Sequence, residues 1–190
     1  MPLASQKVSL PEPWRSFLTE VDEALQQEVT LHCLGGFVLA ALYGLPRPTG
    51  DIDYISINPN GVQEELFRIA GLGSPLSKKH KLYFQRVGVA EYPYEYEERL
   101  MSLELKLQKL KLLAFEPYDL ILSKLCRDGP KDSEDVKFLV GKLKLKFDEL
   151  YKRWLSEMKP WVPNADRHET TIQLWKEFFP LAQESQCREP

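Results

Sequence analysis

The chain has 190 residues, 43% hydrophobic and 28% charged, enough apolar material for one well-filled core or one domain with a small helical addition. Its formal net charge of -3 argues against a general nucleic-acid binder, because sequence-independent grip on phosphates draws on a clear basic excess. No apolar run approaches the length of a membrane span and no basic-then-apolar leader opens the chain, so a cytoplasmic protein with no membrane association is expected.

A loose start gives way at Pro11-Glu12-Pro13 to a helix whose apolar residues Trp14, Phe17, Leu18, Val21 and Leu25 recur at helical spacing. Val29 to Leu34 reads as the first strand. Gly35 and Gly36 turn it into a short helix, Phe37 to Tyr43, and a loop with Pro46, Arg47, Pro48 and Thr49 opens a second strand at Asp51-Ile52-Asp53.

This strand, helix, strand order has a chemical logic. Side chains alternate along a strand, so Asp51 and Asp53 share one face while Ile52 turns to the core. Two adjacent carboxylates repel unless a cation lies between them, and hard oxygen ligands suit Mg²⁺ or Mn²⁺. Gly35 and Gly36, without Cβ atoms, let a ligand approach the backbone, and the free amides of the following helix attract phosphate. Arg47 and Thr49 add a charged fork and a hydroxyl for phosphate oxygens. Each feature also has a purely structural reading: Asp51 as a residue following a turn at Gly50, and the glycine pair as a bend.

Asn58-Pro59-Asn60-Gly61 breaks the chain before a helix marked by Val62, Leu66 and Ile69, ending near Gly71 or Gly73. Residues 74–81 read as a polar loop containing Lys78-Lys79-His80-Lys81, and Leu82 to Tyr92 as a third strand. Glu91 on that strand has two readings, a third carboxylate for metal or for proton abstraction, and a solvated strand end. Leu103, Leu105 and Leu107 alternate with charged residues as a further strand, and Leu110 to Phe115 suggests another.

Glu116-Pro117 starts a helix through Asp119 and Leu120 toward Arg127, with Lys124 on its buried side, where a lysine calls for an anion. After Gly129-Pro130 a new helix begins at Lys131-Asp132-Ser133-Glu134-Asp135, and capping alone accounts for its acids. The tail holds helices over Phe147 to Met158 and around Thr170 to Phe179. There Trp154, Trp161, Trp175, Phe178 and Phe179 are expected to fill a small helical layer. Lys78-Lys79-His80-Lys81 and Lys142, Lys144 and Lys146 form local basic patches with two readings, contact with nucleic acid and a solvated face. Cys33, Cys126 and Cys187, odd in number and dispersed, exclude a disulfide scaffold, and with His32, His80 and His168 equally scattered they form no zinc spacing.

Gly-Gly, a short helix and then Arg47-x-Thr49-x-Asp51-x-Asp53 resembles the signature of the DNA polymerase β-like nucleotidyltransferase superfamily, in particular its small bacterial and archaeal branch similar to AbiEii-like toxin nucleotidyltransferases. Asp119-Leu120, Lys124-Leu125 and Lys131-Asp132-Ser133-Glu134-Asp135 match a second motif of those relatives in order. The resemblance implies an α/β (α+β) fold, a small mixed sheet flanked by helices, with residues 1–145 as the nucleotidyltransferase-like domain and 146–190 as a helical extension packed on it. It implies that Asp51 and Asp53, with Glu91 as the third acid, hold Mg²⁺ or Mn²⁺, and that Gly35, Gly36, Arg47, Thr49 and Lys124 position a nucleoside triphosphate (NTP). Asp132, and with it Asp135, would lie at the active site.

The implied reaction is transfer of a nucleoside monophosphate from NTP to a hydroxyl of tRNA, a protein or a small molecule, in keeping with a toxin–antitoxin component and a cognate partner. Two alternatives stand beside it. One is a non-catalytic nucleotide-binding or regulatory partner with the same fold; the other is an antibiotic nucleotidyltransferase with Glu95, Glu97 and Glu98 lining an acidic acceptor pocket.

Overall fold

The computed structural model describes residues 4–127 and 129–180. Cys187 lies outside the described residues. In chain order the elements are β1 (Ala4–Lys7), α1 (Trp14–Ala24), β2 (Val29–Leu34), α2 (Gly35–Tyr43), β3 (Asp51–Asn58), α3 (Gln63–Ala70), α4 (Pro75–His80), β4 (Tyr83–Arg86), β5 (Met101–Glu104), β6 (Leu110–Ala114), α5 (Pro117–Leu122), α6 (Pro130–Leu143), α7 (Phe147–Arg153) and α8 (Ala165–Trp175). The strands form one six-stranded mixed sheet, ordered β1-β5-β6-β2-β3-β4. Pairs β2–β3 and β5–β6 are antiparallel; β1–β5, β2–β6 and β3–β4 are parallel. This is the expected α/β (α+β) architecture, with helices closing the C-terminal part.

The register sorts the central strands into two faces. Leu31 lies opposite Ile57 and Cys33 opposite Tyr54, while Val29, Leu31 and Cys33 align with Leu110, Leu112 and Ala114, and Ile52 with Phe84. All ten of these side chains are buried. Phe17 of α1 packs on Phe84, with ring centroids 5.7 Å apart, so α1 covers this apolar face. The opposite face carries Asp51, Asp53, His32, Tyr83 and Gln85. Strict alternation along β3 would put Ile57 on the same side as Asp53. The register instead skips Ile55, because Cys33 pairs with Tyr54 and His32 with Ser56. This bulge returns Ile57 to the core and leaves both carboxylates on the polar face.

Several local readings are corrected. The expected loose start contains the edge strand β1, held in parallel register on β5, with the Ser5 hydroxyl donating to Glu104 at 2.5 Å. The expected polar loop over 74–81 contains α4. Ser74 caps it by accepting the Ser77 amide at 3.1 Å, Pro75 occupies its first turn, and Lys78, Lys79 and His80 lie in its last turn, where cations oppose the helix dipole. Lys79 and His80 both reach Glu20 on α1, at 2.7 and 3.1 Å. The strand expected over Leu82 to Tyr92 is β4 and ends at Arg86. The strand expected through Leu103, Leu105 and Leu107 is β5 and ends at Glu104, because the buried Asp22 of α1 accepts the amides of Gln108, Lys109 and Leu110 and fixes that segment as a turn into β6. Burial pushes the Asp22 carboxyl up, but those three donors outweigh it and hold the carboxyl below its ordinary value.

α5 stops at Leu122 and tightens into successive turns, Lys124 N–H to Ile121 and Leu125 N–H to Leu122, so Lys124 lies beyond the helix. In the C-terminal part, Trp154 is fully buried, with its indole N–H donating to Glu169 at 2.8 Å, and the Trp175 indole donates to Ser133 of α6 at 3.1 Å. Trp161 departs from the expected helical layer. It is 74% exposed and stacks on Tyr94, itself 76% exposed, with ring centroids 6.3 Å apart.

Candidate active site

Asp51 and Asp53 stand at the start of β3, beside the point where β2 turns into α2. Gly35 makes that turn with φ of 77°, and the space its Cβ would fill is taken by Asp53: an added Cβ would lie 2.5 Å from Oδ2. Gly36 faces Thr49, whose hydroxyl would be 3.4 Å from an added Cβ. That hydroxyl donates to Oδ1 of Asp51. The glycine pair is thus matched to the carboxylate pair. The α2 N-terminus, which begins at Gly35 against Asp53, has no side-chain cap and no acid in its first turn.

Asp53 is 9% exposed. Burial first, and the neighbouring Asp51 charge second, push its carboxyl up to about 6 against the opposing pull of Arg127 and Lys124. A buried acid next to another acid is poised to be relieved by a cation.

A cavity of about 690 Å³ opens in front of the pair, lined by Gly36, Arg47, Thr49, Asp51, Asp53 and, across from them, the start of α6 with Lys131, Asp132 and Asp135, together with Arg127. Its far wall is an ionic cluster. Lys124, only 2% exposed, places Nζ 2.6 Å from Asp135 Oδ2 and 3.2 Å from Asp132 Oδ1. Arg47 reaches Asp135 at 2.8 Å, and Arg127 reaches Asp132 at 3.0 Å. Asp132 also accepts the Gly129 amide at 3.3 Å, which closes the first turn of α6 as capping predicts. The anion expected for Lys124 is therefore present within the protein.

Of the residues singled out from sequence, Gly35, Gly36, Arg47, Thr49, Asp51, Asp53, Lys124 and Asp132 converge here. Glu91 does not join them. It sits in the loop after β4, and its carboxylate pairs with the buried His168 of α8 at 3.2 Å. Among the described residues no three His, Cys, Asp or Glu side chains cluster as a metal site, so the carboxylate pair stands without a third acid. The sequence reading missed three residues. Arg127 ended an expected helix and Lys131 opened a motif, and neither was given a role although both line the cavity. A third is Tyr83, which faces the pair from the register position of Asp51 and whose phenol is pushed up by burial and by both carboxylates.

A strand-turn-helix-strand unit that sets two carboxylates beside a glycine turn, within a mixed sheet, is the framework of the nucleotidyltransferase class. A family model described as "Nucleotidyltransferase of unknown function (DUF6036)" matches residues 15–180, and the chain belongs to that family. Comparison with the curated proteins and with the solved structures gives no match. Among the described residues no helix is long and apolar enough to cross a membrane.

Proposed function

We propose that the protein is a metal-dependent nucleotidyltransferase that moves a nucleoside monophosphate from NTP to an acceptor hydroxyl on tRNA, a protein or a small molecule. The observation that carries this is the placement of Asp51 and Asp53 side by side on one cavity wall, with Asp53 buried against the Gly35 turn that opens α2. The donor set fits Mg²⁺ or Mn²⁺, being hard carboxylate oxygens whose mutual repulsion a divalent charge removes. A cation held by Asp51 and Asp53 supplies Lewis-acid stabilisation of charge on the transferring phosphate.

The chain's own residues set up the rest. Thr49 fixes one oxygen of Asp51, Gly35 admits Asp53 to the end of α2, and the amides of Gly35 and Gly36 face incoming phosphate oxygens. The acceptor hydroxyl oxygen bonds to the α-phosphorus, releasing its proton to solvent, as the bond to the leaving pyrophosphate breaks, with the two oxygens in line. A toxin–antitoxin role, with a cognate partner, is the cellular setting in keeping with such an activity. A second reading, nucleotide binding without transfer, draws on the pairing of Glu91 with His168, which leaves two carboxylates at the site.

The test is transfer of label from each α-labelled ribonucleoside triphosphate, with Mg²⁺, onto total tRNA or protein. Label expected with the wild type and absent with Asp51→Ala plus Asp53→Ala supports transfer. Nucleotide binding without any transfer supports the second reading, and absence of both overturns the site.

A further inference from the structure

We infer that Arg127 and Lys131 receive the nucleotide's β- and γ-phosphates, and that Lys124 is a positioning residue that holds Asp132 and Asp135 in place. The inference rests on the nucleotidyltransferase reading above and assigns the charges within that site.

Lys124 is ill-suited to phosphate. Its ammonium is buried and already bonded to two buried carboxylates, so the three groups together carry one net negative charge. A phosphate brought to that nitrogen would also meet Asp132 and Asp135, and like charges at short range in a poorly solvated place repel strongly. Arg47 is half committed in the same way, since its guanidinium bonds Asp135 and its side chain is 33% exposed.

Arg127 is differently placed. Its side chain is 61% exposed, and Nη2 holds Asp132 at 3.0 Å. It lines the 690 Å³ cavity and also a narrow cleft beside Asp53 that Gly35 and Lys124 share, so it borders the carboxylate pair from both sides. A guanidinium anchored by one nitrogen presents its remaining N–H groups with little loss of rotamer freedom, which favours bidentate contact with phosphate.

Lys131 lines the same cavity from the first turn of α6, whose shape the Gly129 amide and the Asp132 carboxylate fix. Its side chain is exposed, and Arg47, which also bonds Asp135, brings the formal charge of the Lys124, Asp132 and Asp135 cluster behind it to zero. With a divalent cation offsetting Asp51 and Asp53, these two residues supply the positive charge that a triphosphate tail needs at the opposite wall. Asp132 and Lys124 act through them: Asp132 orients Arg127, and Lys124 holds Asp132 in position.

The experiment is calorimetric titration of the full chain with each ribonucleoside triphosphate and its monophosphate in Mg²⁺, for wild type, Arg127→Ala, Lys131→Ala and Arg127→Lys. Both residues are at the surface, so the variants are expected to fold, which circular dichroism checks. Each alanine variant is expected to weaken triphosphate binding by about 10-fold while monophosphate binding shifts by less than about 3-fold, with Arg127→Lys intermediate. Unchanged triphosphate affinity in both alanine variants overturns the inference while leaving the nucleotidyltransferase reading intact. A wild type that binds no triphosphate overturns both.

Discussion

Gly35 and Asp53 occupy each other's space: the carboxylate of one fills the position where the side chain of the other would begin, 2.5 Å from Oδ2. Gly35→Ala therefore meets two obstacles, a positive φ and a collision with a buried acid. Fold stability is expected to fall by about 1–2 kcal/mol from the backbone alone, and cation-dependent nucleotide binding to be lost as Asp53 is displaced. Gly36→Ala, with a Cβ 3.4 Å from the Thr49 hydroxyl and no positive φ, is expected to cost less than about 1 kcal/mol. Thermal denaturation of the two variants side by side checks this.

The carboxyl of Asp53, raised to about 6, makes a pH prediction whose sign is fixed. An acid whose folded value lies above its unfolded value near 4 is penalised for ionising, fully above about pH 6, and the penalty fades as pH falls toward 4. Asp53→Asn is thus expected to be more stable than wild type at pH 7.5, by on the order of 2–3 kcal/mol at most, with the advantage closing between pH 6 and 4. Mg²⁺ is expected to raise the melting temperature of the wild type and to leave that of the variant unchanged. Denaturant titrations across this range measure the first effect, and thermal melts with and without Mg²⁺ measure the second.

Arg99 holds Asp119 with two nitrogens, at 3.0 and 3.1 Å, and Glu157 at 2.6 Å, while Arg153 of α7 bonds Asp119 and Glu116 from the other side. Arg99→Ala leaves buried carboxylates short of a partner and is expected to cost about 3–5 kcal/mol. Arg99→Lys recovers only part of this, because an ammonium cannot make the forked contact. Urea unfolding followed by tryptophan fluorescence reads the loss.

The two tryptophans of the tail predict opposite outcomes. Trp154→Ala empties a fully buried site and is expected to cost about 3–5 kcal/mol. Trp161→Ala removes a ring stacked on the surface and is expected to change stability by less than about 0.5 kcal/mol. Equal effects in thermal melts would contradict the packing described.

The glycine turn, the Asp pair and the central strands were legible in sequence because each depends on neighbours only a few positions away. Lys124 was legible halfway. Its place on a buried side announced a need for negative charge, but the acids that meet it lie 8 and 11 positions on, across a turn whose path no local pattern gives. Glu91 misled for a related reason. Residues 87–91 have enough apolar character to prolong a strand, and only the distant α8, bringing His168, decides where that carboxylate goes. The interaction of Arg99 with Asp119 and Glu157 is likewise tertiary, joining residues 20 and 58 positions apart. The apolar periodicity of the tail could not separate Trp154 from Trp161, since both sit among aromatic residues and only packing tells them apart.

The unpaired Ile55 has a bearing on how relatives should be aligned. With the bulge, the second carboxylate and the core anchor Ile57 point to opposite faces although an even interval separates them. A relative whose strand runs without the extra residue needs an odd interval to achieve the same division. The parity of that spacing is therefore a readable mark of the bulge, and a gap belongs between Asp53 and Ile57 wherever the parity changes.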